Sequence, residues 1–282
     1  MHLKAAVQAA APGAPAGAAE ALAALDPATP ALATPLRAAH LIGQCAHESA
    51  GFTRAEESLH YSTPERLMAV WPRRFPTRRD AAPCVANPQA LAERVYGGRL
   101  GNRAPGDGWR YRGRGWLQLT GRANYRRFGR LLGLALEAQP DLAAAPGIAW
   151  RIAALYLATR QRQGRTALDW ADANDARMVT RIVNGGLTGL ADRRARTAAA
   201  LAALTSGPGT LRPATLRPGD RGPGIMRLQR ALALQGFAPG TPDGIFGPRT
   251  GAALAAFQRA AGLAPDGIAG PATLGRLLPQ AA

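Results

Sequence analysis

A repeat near the C-terminal end constrains the fold most strongly. The stretch PDGIFGPRT at residues 242–250 recurs as PDGIAGPAT at residues 265–273, and its Asp, Gly and Thr positions match at a constant offset of 23 residues. Asp-Gly favours a tight turn, and the Gly-Pro that follows places a proline in the first turn of a helix. Each copy is therefore predicted to be a turn followed by a helix, and neither copy could bury an apolar face alone.

The region around the repeat has a recognisable family pattern. Before it, IMRLQRALALQGF carries apolar residues near helical spacing. From LRPGDRGPG to DGIAGPATLGRL, the sequence resembles the small three-helix peptidoglycan-binding module. The resemblance implies a three-helix bundle over residues 216–282 that binds bacterial peptidoglycan. The alternative is a helical repeat without that role. Between Arg212 and Gln280 there are 8 Arg and 3 Asp, which suits an anionic cell wall.

A stretch rich in Pro, Gly and Thr precedes this module and predicts a domain boundary. We place a linker at residues 205–215 and one larger domain at residues 1–204. This domain is expected to be mainly α-helical, because strand signals are scarce and GWLQLT is the best of them. Its predicted helices span Leu36–Ala50, Pro88–Val95, Ala123–Leu132, Ile148–Gln163, Asp175–Val183 and Arg193–Leu204.

The N-terminal 25 residues and the two cysteines bear on where the protein is made. Prolines and glycines from Pro12 to Gly17 interrupt the apolar run, so we expect a weak helix and loop without a cleaved signal. No run of about 20 apolar residues could span a membrane. Cys45 lies in an apolar helical run, which favours a free buried thiol over a disulfide with Cys84. These features indicate synthesis in the bacterial cytoplasm.

The net charge of the 282 residues is +17, from 35 Lys and Arg against 18 Asp and Glu. Such a charge predicts an anionic partner. The basic residues are spread along the chain and form no single arm or recognition helix. We therefore favour an anionic envelope surface over nucleic acid as the partner.

Three acidic residues of this basic chain cluster in CAHESAGFTRAEESLHYS at residues 45–62: Glu48, Glu56 and Glu57. Glu48 falls in the last turn of an apolar helical run, a setting that favours a carboxyl group that keeps its proton. Gly51 is expected to break the helix, so the chain can turn and a second acid can face the first across a gap. Inverting glycosidases use two carboxyl groups separated by roughly 6.5–9.5 Å, with a water between them. The alternative is that the acids only form ion pairs with nearby arginines, Arg54 or Arg66.

A second motif, YGGRLGNRAPGDGWRYRGRGWLQLTGRANYRRFG at residues 96–129, combines glycines with aromatic, amide and arginine side chains. Glycine permits close approach of the backbone to a ligand. Aromatic faces can stack on sugars, amides can bind hydroxyl and acetamido groups, and Thr120 could orient a water. The alternative is that some of these side chains belong to the core. The candidates for sugar contacts are Tyr96, Asn102, Trp109, Tyr111, Trp116, Gln118 and Asn124.

Together with RIVNGGLTG, these motifs resemble the family 19 glycoside hydrolases over about residues 35–200. The closest group is the phage and prophage endolysins, and plant chitinases are more distant. The resemblance implies a lysozyme-like, two-lobed helical catalytic domain. It also implies that Glu48 is the general acid, that Glu57 is the base with Glu56 as the alternative, and that Thr120 helps to hold the water. The substrate-binding residues implied are Tyr61, Tyr96, Gln118, Asn124 and Asn184.

The chain departs from plant relatives after Asn-Gly-Gly, where it lacks the acidic residue of the network that supports the general acid. Arg193 and Arg194 are candidates for this support. His40, His47 and His60 form no zinc-ligand motif, so we expect no metal and no cofactor.

The sequence therefore predicts a monomeric endolysin that acts on the cell wall after release and hydrolyses β-1,4 bonds of peptidoglycan with inversion. The alternatives are a chitinase and an inactive wall-binding protein.

Overall fold

The computed structural model describes residues 2–205 and 215–277. The chain divides into two units, Met1–Thr205 and Ser206–Ala282. Both units are mainly helical, which confirms the predicted fold class. The predicted linker at 205–215 lies almost entirely outside the described residues, so the proposed domain boundaries stay a prediction.

Most helices of the first unit begin where the sequence supplies a proline or a capping side chain. At the start of α3, Thr34 accepts a hydrogen bond from the backbone of Arg37, and Pro35 occupies the first turn. The helices are α1 (Leu3–Ala10), α2 (Ala16–Ala23), α3 (Pro35–Glu48), α4 (Pro64–Val70), α5 (Arg78–Ala81), α6 (Pro88–Tyr96), α7 (Asp107–Arg110), α8 (Arg122–Leu132), α9 (Pro146–Thr159), α10 (Ala167–Asp172), α11 (Ala176–Asn184) and α12 (Leu190–Thr205). An antiparallel hairpin joins β1 (Gln161–Arg162) to β2 (Arg165–Thr166).

The core of the first unit is divided. The largest apolar cluster is built by α1, α2, α3, α9, α10 and α12, with α12 packed along α3 and α1. A second cluster lies under α4, α5 and α6, and a third lies around α8. The end of α3 belongs to the first cluster, whereas the end of α6 belongs to the second. Side chains at these two ends are therefore held by different parts of the core, as a two-lobed domain requires.

The N-terminal segment differs from its prediction of a weak helix and loop. Two helices, α1 and α2, form there, and Val7 and Leu22 are buried in the largest cluster. The indole nitrogen of Trp150 donates to the carbonyl oxygen of Ala18 at 2.8 Å, which ties α9 to α2. Tertiary packing stabilises these short helices, which would be marginal in isolation. The prolines and glycines fall between them.

Two other predicted elements are wrong in detail. GWLQLT, residues 115–120, forms a turn instead of a strand, because Gly115 and Gln118 have φ of +78° and +54°. The helix predicted over Ile148–Gln163 ends at Thr159, and the chain then enters the β1–β2 hairpin. In both places the backbone must turn where the apolar pattern continues.

The second unit is the predicted three-helix bundle, with α13 (Pro223–Leu234), α14 (Pro248–Ala260) and α15 (Pro271–Leu277) packed around one apolar cluster. The repeat explains its turns. The side-chain amide of Gln258 donates to Asp266 at 2.7 Å and to Thr273 at 3.1 Å, and its oxygen accepts from the backbone of Gly267 at 2.9 Å. Gln229 makes the matching bonds to the first copy. The recurring Asp, Gly and Thr are thus the partners of one buried glutamine per copy.

Candidate active site

Glu48 ends α3 and is paired with a buried arginine of α12. Its Oε1 accepts from Nη2 of Arg193 at 2.5 Å. Arg193 is only 1% exposed, and it also donates to Gln44 at 2.7 Å and to the carbonyl of Thr188 at 3.2 Å. The expected apolar surroundings of Glu48 are therefore wrong, because α12 begins beside the end of α3 and supplies an ion pair. Of the two arginines considered, Arg193 is the partner, whereas Arg194 is exposed.

A neighbouring pair strengthens the same junction. Nδ1 of His47 lies 2.7 Å from Oδ2 of Asp192, which also accepts from Nε of Arg196. Burial raises the pKa of Asp192, but its bonds with His47 and Arg196 outweigh burial, so the pKa lies below its usual value. Gly189 rests against the His47 ring, where a Cβ would approach to 2.2 Å. The loop after Asn184, the last residue of α11, thereby packs at Gly189 against α3, the helix that carries Glu48.

The chain reverses direction directly after α3. Ala50, Gly51 and Phe52 have φ of +50°, +72° and +67°, so three successive residues adopt the left-handed conformation. The Ser49 hydroxyl accepts from the backbone of Phe52 at 2.8 Å, and the Phe52 ring packs on Trp116. The predicted break near Gly51 is confirmed. This reversal directs the segment that carries Glu57 away from the axis of α3.

Both oxygens of Glu57 accept hydrogen bonds. Oε1 accepts from the backbone of Gly113 at 2.6 Å, and Oε2 accepts from the hydroxyl of Tyr96 at 2.8 Å. Burial and the negative charge of Glu57 raise the pKa of the Tyr96 hydroxyl, which therefore remains a donor. A carboxylate oriented in this way can accept a proton, as a general base must. Tyr96, predicted to contact sugar, contacts this carboxylate in the structure.

Gly113 lets three predicted site residues converge. A Cβ at Gly113 would lie 2.7 Å from Oε1 of Gln118, 3.2 Å from Oγ1 of Thr120 and 3.3 Å from Cδ of Glu57. Asn124 supports the group, because its amide donates to the carbonyl of Thr120 at 2.7 Å. A carboxylate, a hydroxyl and an amide oxygen thus surround one position of the backbone.

Glu56 has different partners from Glu57. Its carboxylate pairs with Nη2 of Arg112 and lies 3.9 Å from Nε of Arg114. Successive residues of an extended chain point to opposite faces, and here Gly113, between the two arginines, contacts Glu57. The arrangement supports Glu57 over Glu56 as the base.

The remaining candidates are less closely connected to these carboxylates. Tyr61 stacks edge-on with Trp71 and is close enough to Tyr96 to influence its pKa. Asn184 ends α11 and is exposed.

Several aromatic and amide candidates belong to the interior. Tyr111 and Trp116 are buried, so the expectation that they stack on sugar is wrong. Asn102 is also buried, and it donates to the carbonyl of Tyr96 at 3.0 Å. Trp109 is half-buried, with the guanidinium of Arg112 over its ring at 4.1 Å. A motif that mixes aromatics with arginine does not by itself distinguish a sugar platform from a core.

The cysteines and histidines have structural surroundings. Cys45 and Cys84 are free buried thiols. His40 is buried and lies 3.0 Å from Oδ1 of Asn174. Within residues 2–205 and 215–277, no three His, Cys, Asp or Glu side chains gather as metal ligands. Nor does any helix of these ranges have the length and apolarity needed to cross a bilayer.

Gln44, which accepts a hydrogen bond from Arg193, is a neighbour of the candidate acid that the sequence prediction missed. It lies one helical turn before Glu48, so the two side chains share a face of α3. The sequence signal that could have identified Gln44 is its polar side chain within the apolar run of this helix.

Comparison with known proteins gives the family of each unit. Residues 221–277 match the family model described as "Putative peptidoglycan binding domain". A Haemophilus influenzae (strain Rd) protein, "Glycosyl hydrolase family 19 domain-containing protein", is 36% identical over 160 residues, which are 56% of this chain and 75% of that protein. Among solved structures, chitinase C from Streptomyces griseus has 21% identity and a TM-score of 0.47, over 71% of this chain and 91% of that one. A bacterial family 19 chitinase has 22% identity and a TM-score of 0.47, over 75% and 98% of the two chains. The similarity to the Haemophilus protein covers most of that relative, and the chain therefore belongs to the family 19 glycosyl hydrolases and is a glycoside hydrolase that also carries a peptidoglycan-binding domain.

Proposed function

We propose that this enzyme hydrolyses the β-1,4 bonds of the peptidoglycan glycan strand after N-acetylmuramic acid, with inversion. One observation carries the choice of substrate: the glycoside hydrolase unit shares its chain with a peptidoglycan-binding domain at residues 221–277. A wall-binding domain keeps the catalytic unit at high local concentration on a polymer that stays in place.

In the proposed mechanism, Glu48 donates a proton to the leaving glycosidic oxygen. The buried guanidinium of Arg193, 2.5 Å away, stabilises the negative charge that Glu48 then acquires. Glu57 removes a proton from the attacking water, and the Tyr96 hydroxyl and the Gly113 amide keep its two oxygens in place. Thr120 and Gln118, which surround Gly113 with Glu57, are the groups that would hold this water. Each step uses only side chains and water.

Its biological role follows from the same substrate. We propose a monomeric endolysin that is made in the cytoplasm and reaches the cell wall after release. The net charge of +17 supports accumulation on an anionic envelope.

The test compares purified sacculi with colloidal chitin, with new reducing ends as the readout. We expect cleavage of sacculi, and we expect Glu48→Gln to lose about 10²–10⁴-fold of the rate, the usual contribution of general acid catalysis. Glu65→Gln is the matched control, because Glu65 also pairs with an arginine, Arg78, but on the surface. Cleavage of chitin alone would show that the enzyme is a chitinase. A Glu48→Gln variant with more than about a tenth of the rate would refute the assigned acid.

A further inference from the structure

A large cavity adjoins the segment that holds Glu57. Its volume is about 840 Å³, and Trp109, Arg110, Arg112 and Arg114 contribute to its wall. Trp109, a candidate for sugar contact, lines it, whereas the proposed catalytic residues Glu48, Glu57 and Thr120 do not. Arg112 and Arg114 flank Gly113, whose amide donates to Glu57. The cavity wall and the amide that holds the proposed base therefore belong to one short segment of the chain.

The charges around this cavity do not balance. Arg112 and Arg114 share Glu56, and Arg114 also pairs with Asp141, whose side chain is 81% exposed. Arg110 donates only to a backbone carbonyl, at 3.0 Å, and makes no ion pair with a carboxylate in the part of the chain that the structure describes. Three guanidinium groups therefore meet two carboxylates. The cavity retains a positive charge.

Besides its positive charge, Arg114 provides a hydrogen-bond donor that is unsatisfied. The residue is 1% exposed, and its Nε is buried without a hydrogen-bond partner among the described residues. Guanidinium groups recognise carboxylates through paired N–H donors. The apolar side chains of Pro140 and Leu142 also line the cavity. Cationic donors next to an apolar wall suit a short peptide that ends in or carries a carboxylate.

We propose that this cavity binds a carboxylate of the acidic peptides attached to the glycan strand. The proposal rests on the proposed function, because peptidoglycan carries such peptides and chitin does not. Arg110, whose charge is unmatched, provides most of the discrimination. The cavity would then make the enzyme prefer peptide-bearing strands over bare strands of the same sugars.

The experiment uses the full-length chain and two forms of one substrate. Rates are measured on glycan strands with their peptides intact and on the same strands after the peptides have been removed enzymatically. The variant is Arg110→Gln. Arg151→Gln is the matched control, since Arg151 is also exposed and donates to a backbone carbonyl, at 2.8 Å, but does not line the cavity.

We expect Arg110→Gln to lose roughly tenfold in kcat/KM on peptide-bearing strands, mostly through KM, as for a lost hydrogen bond to a charged group. Its rate on bare strands should stay within about twofold, which also shows that it folds. The control should match the wild type on both substrates. An equal loss on both forms, or no loss on either, would overturn the carboxylate site while leaving the proposed function intact. Failure of the wild type to cut either form would instead overturn the proposed function, and the site with it.

Discussion

Neighbouring residues Glu56 and Glu57 differ in what holds their carboxylates. Glu57 is oriented by the Tyr96 hydroxyl and by the Gly113 amide, whereas Glu56 is paired with Arg112. We therefore predict that Glu57→Gln lowers kcat/KM on sacculi by about 10²–10⁴-fold. Glu56→Gln removes a partly exposed ion pair, typically worth about 0–1 kcal/mol, and should cost less than about tenfold.

Initial rates of both variants on one preparation of sacculi decide this prediction. Their melting temperatures should be within a few degrees of the wild type, which serves as the control for folding. If Glu56→Gln is the inactive variant and Glu57→Gln is not, the base has been assigned to the wrong glutamate.

For individual residues, the sequence predicted which side chains are candidates for the site better than it predicted their interaction partners. The motifs identified Glu48, Glu57 and Thr120 as candidates, and the structure brings Glu57 and Thr120 together at Gly113. The partner of Glu48 could not be chosen, because Arg193 is 145 residues away along the chain and its neighbour is also an arginine. The burial of individual aromatic side chains could not be predicted either, since it depends on how helices that are distant in sequence pack together.

Among the elements, the short segment between α7 and α8 contains several candidate site residues, including Gln118 and Thr120. A methyl group at Gly113 would contact the side-chain ends of Gln118 and Thr120 and the carboxyl of Glu57. These ends can shift at little cost in stability, but the shift would misplace the proposed water site. We predict that Gly113→Ala loses more than about tenfold in kcat, since small misplacements in active sites cost up to about 10²-fold.

The matched control for this prediction is Gly147→Ala in α9, where nothing lies within 4 Å of the added methyl group. Alanine is favoured over glycine in helices by about 1 kcal/mol, so this variant should be active and no less stable than the wild type. Rates and thermal melts of the two variants provide the measurement. A Gly113→Ala enzyme with more than half of the normal kcat would show that these three groups need no such close approach.

The long helices were predictable because caps and apolar period coincide. For α3, Thr34 and Pro35 mark the start, and the left-handed residues after Glu48 mark the end. The segment GWLQLT misled the prediction, because its alternating apolar residues resemble a strand while Gly115 and Gln118 impose a turn. The short α4, α5, α7 and α10 were not predicted, since four to seven residues provide too little period for recognition.

For the whole molecule, the main prediction concerns the separate roles of the two units. Deletion of residues 206–282 should reduce activity on sacculi at least tenfold at low enzyme concentration, because tethering can raise apparent affinity by about 10²–10⁴-fold. Activity on short soluble glycan fragments should change less than twofold, since fragments do not remain attached to a surface. Paired rate measurements on both substrates test this.

A full-length control is available in Gln258→Leu. This change leaves the turn at Asp266 and Gly267 without its buried partner, which costs about 1–3 kcal/mol for each unsatisfied group and should unfold the small second unit. The variant should therefore behave like the deletion on both substrates. Equal losses on sacculi and fragments would mean that the second unit supports the catalytic fold and does not act as an anchor.

Mass spectrometry of the fragments released from purified peptidoglycan tests the central proposal most directly. Borohydride reduction of the digest labels each newly formed sugar end, and the mass of the reduced sugar identifies the bond that was cut. The proposed reaction predicts reduced N-acetylmuramic acid at the new ends in the wild-type digest and its loss in the Glu48→Gln digest. Reduced N-acetylglucosamine ends, or fragments with no new sugar ends, would contradict it.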